Sequence, residues 1–149
     1  MPTYKIDFVR TIVSDNTPAP LMSAKQAVGY LMKNCYTPDE MWREKVFAIL
    51  VDAKNQPVGH VLVSVGGLDS APIDIRLIAR AALNGFARGV ILSHNHPTGD
   101  PRPSQVDIAN TDKLKKALSC LDIQLLDHVV IGDGAFFSFL DEKVAKFKS

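Results

Sequence analysis

Short apolar, β-branched runs bounded by turn residues predict the β-structure of this chain. Turn residues at 54–57 and at 132–134 each separate two such runs, which predicts two β-hairpins. One further run lies outside these hairpins and is typical of a buried strand. The predicted strands cover residues 46–51, 58–65, 89–92, 123–131 and 135–139.

Apolar residues at helical spacing and capping patterns predict helices between these strands. Ser23 and Gln26 form a capping-box pattern for a helix through about Lys33. Thr37 to Glu40 is a second start signal, with proline at the first helical position. Further helices are predicted at 73–86, from Ser104 onward and, as a short charged segment, at 141–148. This order indicates the α/β (α+β) class, with a mixed central sheet flanked by helices.

The length of 149 residues fits one domain with a single core. Residues 1–20 are polar and contain prolines, and some of them alternate between apolar and polar. They are predicted to form an arm or an edge strand, and residues 21–149 to form the domain. Hydrophobic residues make up 46% of the chain and charged residues 22%, as in ordinary soluble proteins.

A formal net charge of +1 gives no electrostatic indication of a nucleic-acid or membrane partner. The chain has no apolar run of membrane-spanning length, and its first residues lack the apolar core of a secretory signal. A cytoplasmic protein is therefore expected. Cys35 and Cys120 lie far apart in the sequence, so free thiols are expected.

The segment from His94 to Asp107 carries the most specific chemistry in the chain. His94 and His96 follow a predicted strand, where residues two apart point to the same side. Pro97 keeps His96 extended, and Asp107 stands on the first turn of the helix that opens at Ser104. Two histidines and one aspartate leave a fourth tetrahedral position open, which is the pattern of a catalytic rather than a structural zinc site.

Simpler interpretations exist for the same residues. Ser104 and Asp107 also fit a helix-capping pattern, in which the serine oxygen accepts a backbone N–H. A pair of histidines near a loop is often solvated or satisfied by hydrogen bonds. The complete set at this spacing favours the metal site.

A hydrolytic zinc needs a base for its water. The chain contains three glutamates, Glu40, Glu44 and Glu142. Glu142 lies in the tail, and Glu40 occupies the third position of a predicted helix, which favours a capping role. Glu44 lies just before the strand that starts at Val46 and is modestly favoured as the base. The alternative is a solvated residue in the cluster at 42–45.

The order Glu44, His94-x-His96, seven residues, Ser104-x-x-Asp107 resembles the JAMM motif of the JAB/MPN metalloprotease superfamily. More narrowly, the stretches 94–101 and 103–107, together with 126–132 and 138–139, resemble the RadC-type branch. The similarity runs from about Ser23 to Leu140.

This resemblance implies a role for each matching residue. His94, His96 and Asp107 would hold zinc, Glu44 would accept the proton of the bound water, and Ser104 would hydrogen-bond the developing oxyanion. The reaction would be hydrolysis of a peptide or isopeptide bond in a peptide or protein substrate. The resemblance also implies a sheet flanked by helices, related to the cytidine-deaminase-like fold.

The sequence departs from the RadC pattern away from the motif. It leaves no room for the helix-hairpin-helix region, a DNA-binding element, so it is expected to be the short form. Ile75-Arg76-Leu77 stands where Pro-Arg-Glu is common, and Thr98 stands where serine is usual. These changes affect expectations about substrate contacts rather than the metal.

The alternative hypothesis is a DNA-repair-associated or protein-interaction module with a binding or scaffolding role. The lysines at 113, 115 and 116 are better explained as a solvated helix face than as a DNA patch. His128, within an apolar strand, is expected to be a packed core histidine. Asp127 is a weaker candidate for orienting a ligand histidine.

Overall fold

A computed structural model describes residues 1, 3, 5, 18–66 and 72–147, and this part of the chain folds as a mixed sheet with three flanking α-helices. The helices are α1 (Ala24–Asn34), α2 (Ile75–Asn84) and α3 (Gln105–Ser119). The strands are β1 (Lys45–Val51), β2 (Pro57–Val65), β3 (Gly89–Asn95), β4 (Gln124–Ile131), β5 (Ala135–Ser138) and β6 (Lys143–Lys146). The predicted α/β class is confirmed.

The strands lie in the order β2-β1-β3-β4-β5-β6. Strands β3 and β4 are parallel, and the other neighbouring pairs are antiparallel. A parallel pair needs a crossover, which α3 supplies. Because β1 and β3 are antiparallel, with Val46 opposite His94, the start of β1 lies beside the end of β3. The end of β3 therefore meets both the segment before β1 and the region where α3 begins.

Alternating residues of the central strands face two separate cores. On one side α1 packs against Phe47, Ile49, Ile91 and Val129. On the other side, α2 and α3 pack against the alternate residues of β1 and β3. These residues are Val46, Ala48, Leu50, Val90 and Leu92. The continuous apolar runs seen in the sequence follow from this burial on both faces.

Both predicted hairpins are confirmed, since β1 pairs with β2 and β4 with β5. The helix at Ser23 is also confirmed, and its serine accepts the Gln26 N–H. The Gln26 side chain accepts the N–H of Met22, one residue before the expected partner.

One helical prediction is confirmed only in part, and another is wrong. The segment at Thr37 forms a single 3₁₀ turn (Pro38–Glu40) without a side-chain cap, and Glu40 pairs with Lys45 instead of closing a capping box. The tail forms β6, which pairs with β5. Glu142 has a φ of 54°, which a right-handed helix cannot accommodate, and pairing covers the edge that β5 would otherwise expose.

Cys35 and Cys120 are free thiols, as expected. Burial raises the pKa of the Cys35 thiol to about 12. Across the described ranges, no helix has both the length and the apolar character needed to cross a membrane. The predicted N-terminal arm falls mainly on residues 2, 4 and 6–17, which lie outside the described residues.

Candidate metal centre

The end of β3 fixes both histidines of the motif. His94 is the sixth residue of the strand and is 2% exposed, on the face covered by α2 and α3. His96 follows the strand, and its backbone N–H donates to the carbonyl of Ile131 over 2.9 Å. The strand register therefore extends to His96 and holds its ring beside that of His94, with the two Nε2 atoms 2.9 Å apart.

The loop after His96 is tied to the turn between β4 and β5. Gly99 has a φ of +91°, its N–H donates to the His96 carbonyl, and its own carbonyl accepts the Asp133 N–H. A Cβ at Gly132 would lie 2.3 Å from the Gly99 oxygen, so the two backbones approach as closely as glycine allows. The Asp100 carbonyl lies 2.8 Å from Nδ1 of His96. The loop thus orients the second imidazole.

The N-terminus of α3 brings in the carboxylate. Ser104 caps the helix by accepting the Asp107 N–H over 3.1 Å, and Asp107 Oδ2 accepts the Ser104 N–H over 2.8 Å. This reciprocal capping box confirms the local interpretation of the pattern. The same Oδ2 atom lies 3.1 Å from His96 Nε2 and 3.3 Å from His94 Nε2. The Asp107 carboxylate therefore caps α3 and lies against both histidines at the same time.

Glu44 completes the cluster from the segment before β1. It is 6% exposed, and its Oε1 lies 3.8 Å from Nε2 of His94. Asn95 holds this segment, because its side chain accepts the Lys45 N–H and donates to the carbonyls of Met41 and Arg43. Of the two main candidates, Glu40 is exposed and paired with Lys45, whereas Glu44 lies at the site.

One ligand atom from each of Glu44, His94, His96 and Asp107 lies within 4.8 Å of all the others. A carbonyl cannot donate, so Nδ1 of a neutral His96 carries the proton toward Asp100 and its Nε2 is an acceptor. Two carboxylates and this nitrogen therefore surround Nε2 of His94. Such a set of acceptors is stabilised by a cation, so the residues fit a metal ion.

The electrostatics of the cluster agree with this fit. The hydrogen bond to Asp107 raises the pKa of His96, although burial opposes the shift. Burial raises the pKa of Asp107, but the interactions of its carboxylate with the His94 and His96 rings outweigh burial and hold that pKa well below its usual range. The ionised carboxylate of Asp107 therefore places a negative charge beside two imidazoles, which favours a positive charge at this position.

Comparison with known proteins agrees with the geometry. Residues 21–144 match the model of the RadC-like JAB domain. The chain belongs to this family. A UPF0758 protein from Pelobacter propionicus is 45% identical over 102 residues, which is 68% of this chain and 44% of that protein. A UPF0758 protein from Methanosarcina mazei is 40% identical over 107 residues, covering 72% of this chain and 47% of the relative. The chain thus spans less than half the length of these curated relatives.

In this RadC-like JAB domain, His128 lies directly behind the ligand set. It is fully buried, as predicted, but its Nε2 lies 2.7 Å from Nδ1 of His94. Its ring stacks on Phe139 at a centroid distance of 4.7 Å. Burial lowers the pKa of His128 well below its ordinary value, so the ring is neutral. The packing interpretation of this residue was correct but incomplete.

Asp127, the weaker candidate for this orienting role, serves the fold instead. Its carboxylate accepts hydrogen bonds from Ser138 and from the backbone N–H groups of His128 and Leu140. Burial raises its pKa above the ordinary value. Local sequence rules could not reveal this role of His128, because it depends on the parallel register of β3 and β4. That register places His128 opposite Leu92, two residues from His94 and on the same face.

A cavity of about 410 Å³ opens beside His96. Polar and apolar residues share its walls, which come from α1, the segment before β1, the loop after β3, the turn after β4 and the residue after β6. The apolar side chains are the ones a substrate could pack against. They include Met32, Met41, Trp42, Pro97 and Phe147. Trp42 is 54% exposed, and the Arg43 guanidinium lies 4.3 Å from its ring centre. An open depression with several apolar side chains therefore borders the ligand set at His96.

The lysines of α3 lie on its solvent-exposed surface. Lys113, Lys115 and Lys116 are exposed, and Lys116 pairs with Asp112 one turn earlier over 2.9 Å. This pairing is typical of a solvated helix face, as the sequence suggested.

Proposed function

We propose that this RadC-like JAB domain is a zinc-dependent hydrolase of the JAMM type that cleaves a peptide or isopeptide bond. The convergence of Glu44, His94, His96 and Asp107 on one point carries the proposal. Two imidazoles and one carboxylate are a ligand set typical of catalytic zinc. The fourth group is the buried carboxylate of Glu44, whose Oε1 lies 3.8 Å from Nε2 of His94. In this proposal it acts as the base that activates water and not as a ligand that holds the metal.

His94, His96 and Asp107 would hold the ion, which supplies Lewis-acid polarisation of the scissile carbonyl and a more acidic water. Glu44 accepts a proton from the attacking water and passes it to the leaving amine. Its burial beside the ligand set keeps bulk water away from this transfer.

Ser104 supports the developing oxyanion in this proposal. Its oxygen accepts the Asp107 N–H, and a hydroxyl that accepts one hydrogen bond still has its own proton to donate. A donor aimed at a tetrahedral oxyanion contributes about 3 kcal/mol to catalysis. The capping role and the catalytic role are therefore compatible in the same side chain.

The cavity beside His96 suits one side chain of a peptide substrate. A residue flanking the scissile bond would place its side chain against Trp42 and Met41 while its carbonyl meets the ligand set. The apolar part of the wall, which includes Trp42 and Met41, favours an apolar side chain through burial of its surface, worth about 25 cal/mol per Å². A peptide with a large apolar residue beside the cleaved bond is the expected substrate.

Metal content tests the proposal first. Protein purified without added zinc is compared with His94→Ala and His96→Ala by elemental analysis. About one zinc per chain is expected in the wild type and loss of zinc in both variants. Absence of zinc from the wild type after zinc is supplied would contradict the proposal.

Glu44→Gln separates catalysis from metal binding. Hydrolysis of a peptide library should fall about 10²–10⁴-fold while zinc remains bound, because a base is lost and the three ligands are retained. Glu40→Gln is the matched control on the neighbouring 3₁₀ turn, and it should leave both measurements unchanged, since Glu40 pairs with Lys45 at the surface.

The alternative hypothesis of a binding module predicts that Glu44→Gln has no effect on function. It expects DNA binding that weakens with salt and is insensitive to Glu44→Gln. Full activity of that variant on a genuine substrate would remove the proposed base. Salt-dependent DNA binding by a variant without hydrolytic activity would favour the module.

A further inference from the structure

A chain of hydrogen bonds runs behind the ligand set and returns to it. Nδ1 of His94 lies 2.7 Å from Nε2 of His128, and Nδ1 of His128 lies 2.6 Å from Oγ1 of Thr111. Thr111 stands one turn after Asp107 on α3, and its Oγ1 lies 2.6 Å from the Asp107 carbonyl oxygen. The backbone of one ligand is thereby linked through two side chains to the ring of another.

The direction of each bond follows from the first one. A carbonyl oxygen can only accept, so the single hydroxyl proton of Thr111 is donated to Asp107. Oγ1 of Thr111 is then the acceptor for His128, whose Nδ1 carries the proton. In a neutral imidazole the other nitrogen is an acceptor, so Nε2 of His128 accepts a proton from His94.

This order fixes the tautomer of His94. Its Nδ1 carries the proton, and its Nε2 keeps the lone pair. That Nε2 atom faces Asp107 Oδ2 at 3.3 Å and Glu44 Oε1 at 3.8 Å. The reverse order would place a proton on Nε2, at the position a metal needs.

We propose that Thr111 and His128 are positioning residues that hold His94 in the tautomer and orientation required for binding a divalent metal. The inference rests on the proposed metal site and deepens it. Partners that orient a ligand histidine from behind commonly contribute 10–100-fold to metal affinity. The stack of His128 on Phe139 fixes the plane of its ring, which keeps Nε2 aimed at His94.

Thr111→Val tests the chain, since valine keeps the shape of threonine and removes the hydroxyl. The zinc Kd, measured by competition with a chromophoric chelator, should rise about 10-fold. Thr111→Ser restores the hydroxyl and should bring the Kd back to within about threefold of the wild type. His60→Gln is the control, because His60 lies on β2, bonds Tyr30 of α1 and is outside the ligand set.

Imidazole ¹⁵N resonances of the metal-free protein give a second readout. His94 should show a protonated Nδ1 in the wild type and in Thr111→Ser, and a mixture of tautomers in Thr111→Val. Thermal unfolding of each variant identifies any that fails to fold, and His128→Gln then replaces it, with loss of the same Nδ1 signature expected.

The two proposals fail in different ways. A wild type that binds no zinc yet shows the His94 tautomer and its loss in Thr111→Val contradicts the hydrolase and supports the positioning chain. A zinc Kd and a His94 tautomer that are both unchanged in Thr111→Val overturn the positioning chain while leaving the metal site intact.

Discussion

The two faces of β3 use polar residues in opposite ways. Ser93 and Asn95 point toward the α1 side, where the Ser93 hydroxyl bonds Tyr36 over 2.9 Å and Asn95 bonds three backbone groups. His94, between them, points to the other face. There it lies against the candidate ligand atoms of Glu44, His96 and Asp107. On the first face the buried polar atoms are satisfied by the protein. On the second, acceptors gather in a set that a cation would satisfy.

This difference separates buried polar residues that stabilise the fold from buried polar residues that can bind a ligand. Buried polar groups normally find partners, so a satisfied one is weak evidence for function. A group of buried acceptors brought together at a strand end is costly unless it serves a ligand. Alternation along one strand places both kinds side by side, and the Asn95 side chain connects them by holding the segment that carries Glu44.

The largest effect is expected from Asn95→Ala. Loss of three hydrogen bonds at a fully buried side chain should lower the free energy of unfolding by about 3 kcal/mol, measured by urea denaturation. Release of the Glu44 segment should lower hydrolysis about 100-fold, because catalytic groups tolerate little displacement. Zinc affinity should change far less.

Ser93→Ala is the matched control on the same face of β3. It removes one hydrogen bond, to Tyr36, and should cost about 1–2 kcal/mol of stability with zinc binding and hydrolysis unchanged. Equal losses of hydrolysis in the two variants would show that Asn95 has no particular relation to Glu44.

Gly132→Ala is expected to have the next largest effect. The added Cβ would lie 2.3 Å from the Gly99 oxygen and 2.8 Å from Pro101, so the loop that orients His96 must move. Overpacking of this kind costs about 1–3 kcal/mol, and zinc affinity should fall with it. Gly29→Ala in α1 meets no atom within 4 Å and should raise stability by up to about 1 kcal/mol. Unchanged zinc affinity in Gly132→Ala would separate the loop from the site.

The sequence predicted the site better than its surroundings. Spacing two residues apart on a strand and a helix-capping pattern are local rules, and they placed His94, His96 and Asp107 correctly relative to one another. Family resemblance supplied Glu44, which local rules favoured only modestly. Its proximity depends on the antiparallel pairing of β1 and β3, a long-range contact that periodicity does not encode.

The wrong prediction for the tail and the incomplete one for His128 have the same cause. The tail is charged and reads as a helix, but pairing with β5 decides its conformation. His128 reads as a core residue because nothing local indicates that His94 lies across the strand pair. Tertiary partners therefore set the roles that the pattern of one segment leaves open.

Strand β4 shows the same contrast as β3, since Asp127 bonds groups of the fold and its neighbour His128 contacts the ligand His94. A substitution of Asp127 is expected to have a smaller effect than those above. Burial raises the folded pKa of Asp127, so its folded form binds a proton more readily than the unfolded chain does. The stability linked to that proton is present at acidic pH and is lost as pH rises through the raised pKa. Asp127→Asn should remove this decline, measured as the free energy of unfolding against pH, and should leave the zinc Kd unchanged. A zinc Kd that shifts with this variant would restore Asp127 to an orienting role.

The smallest effect is expected at the cavity beside His96. Trp42 lies at its rim with half of its surface exposed, so Trp42→Ala should leave the fold and the zinc Kd unchanged. It should raise KM for peptides with a large apolar residue beside the cleaved bond by about tenfold, since about 1.4 kcal/mol of apolar contact is lost. Peptides with a charged residue at that position should be affected much less. A uniform loss across both kinds of peptide would place Trp42 outside the substrate's path and leave the apolar preference to the deeper residues Met32 and Met41.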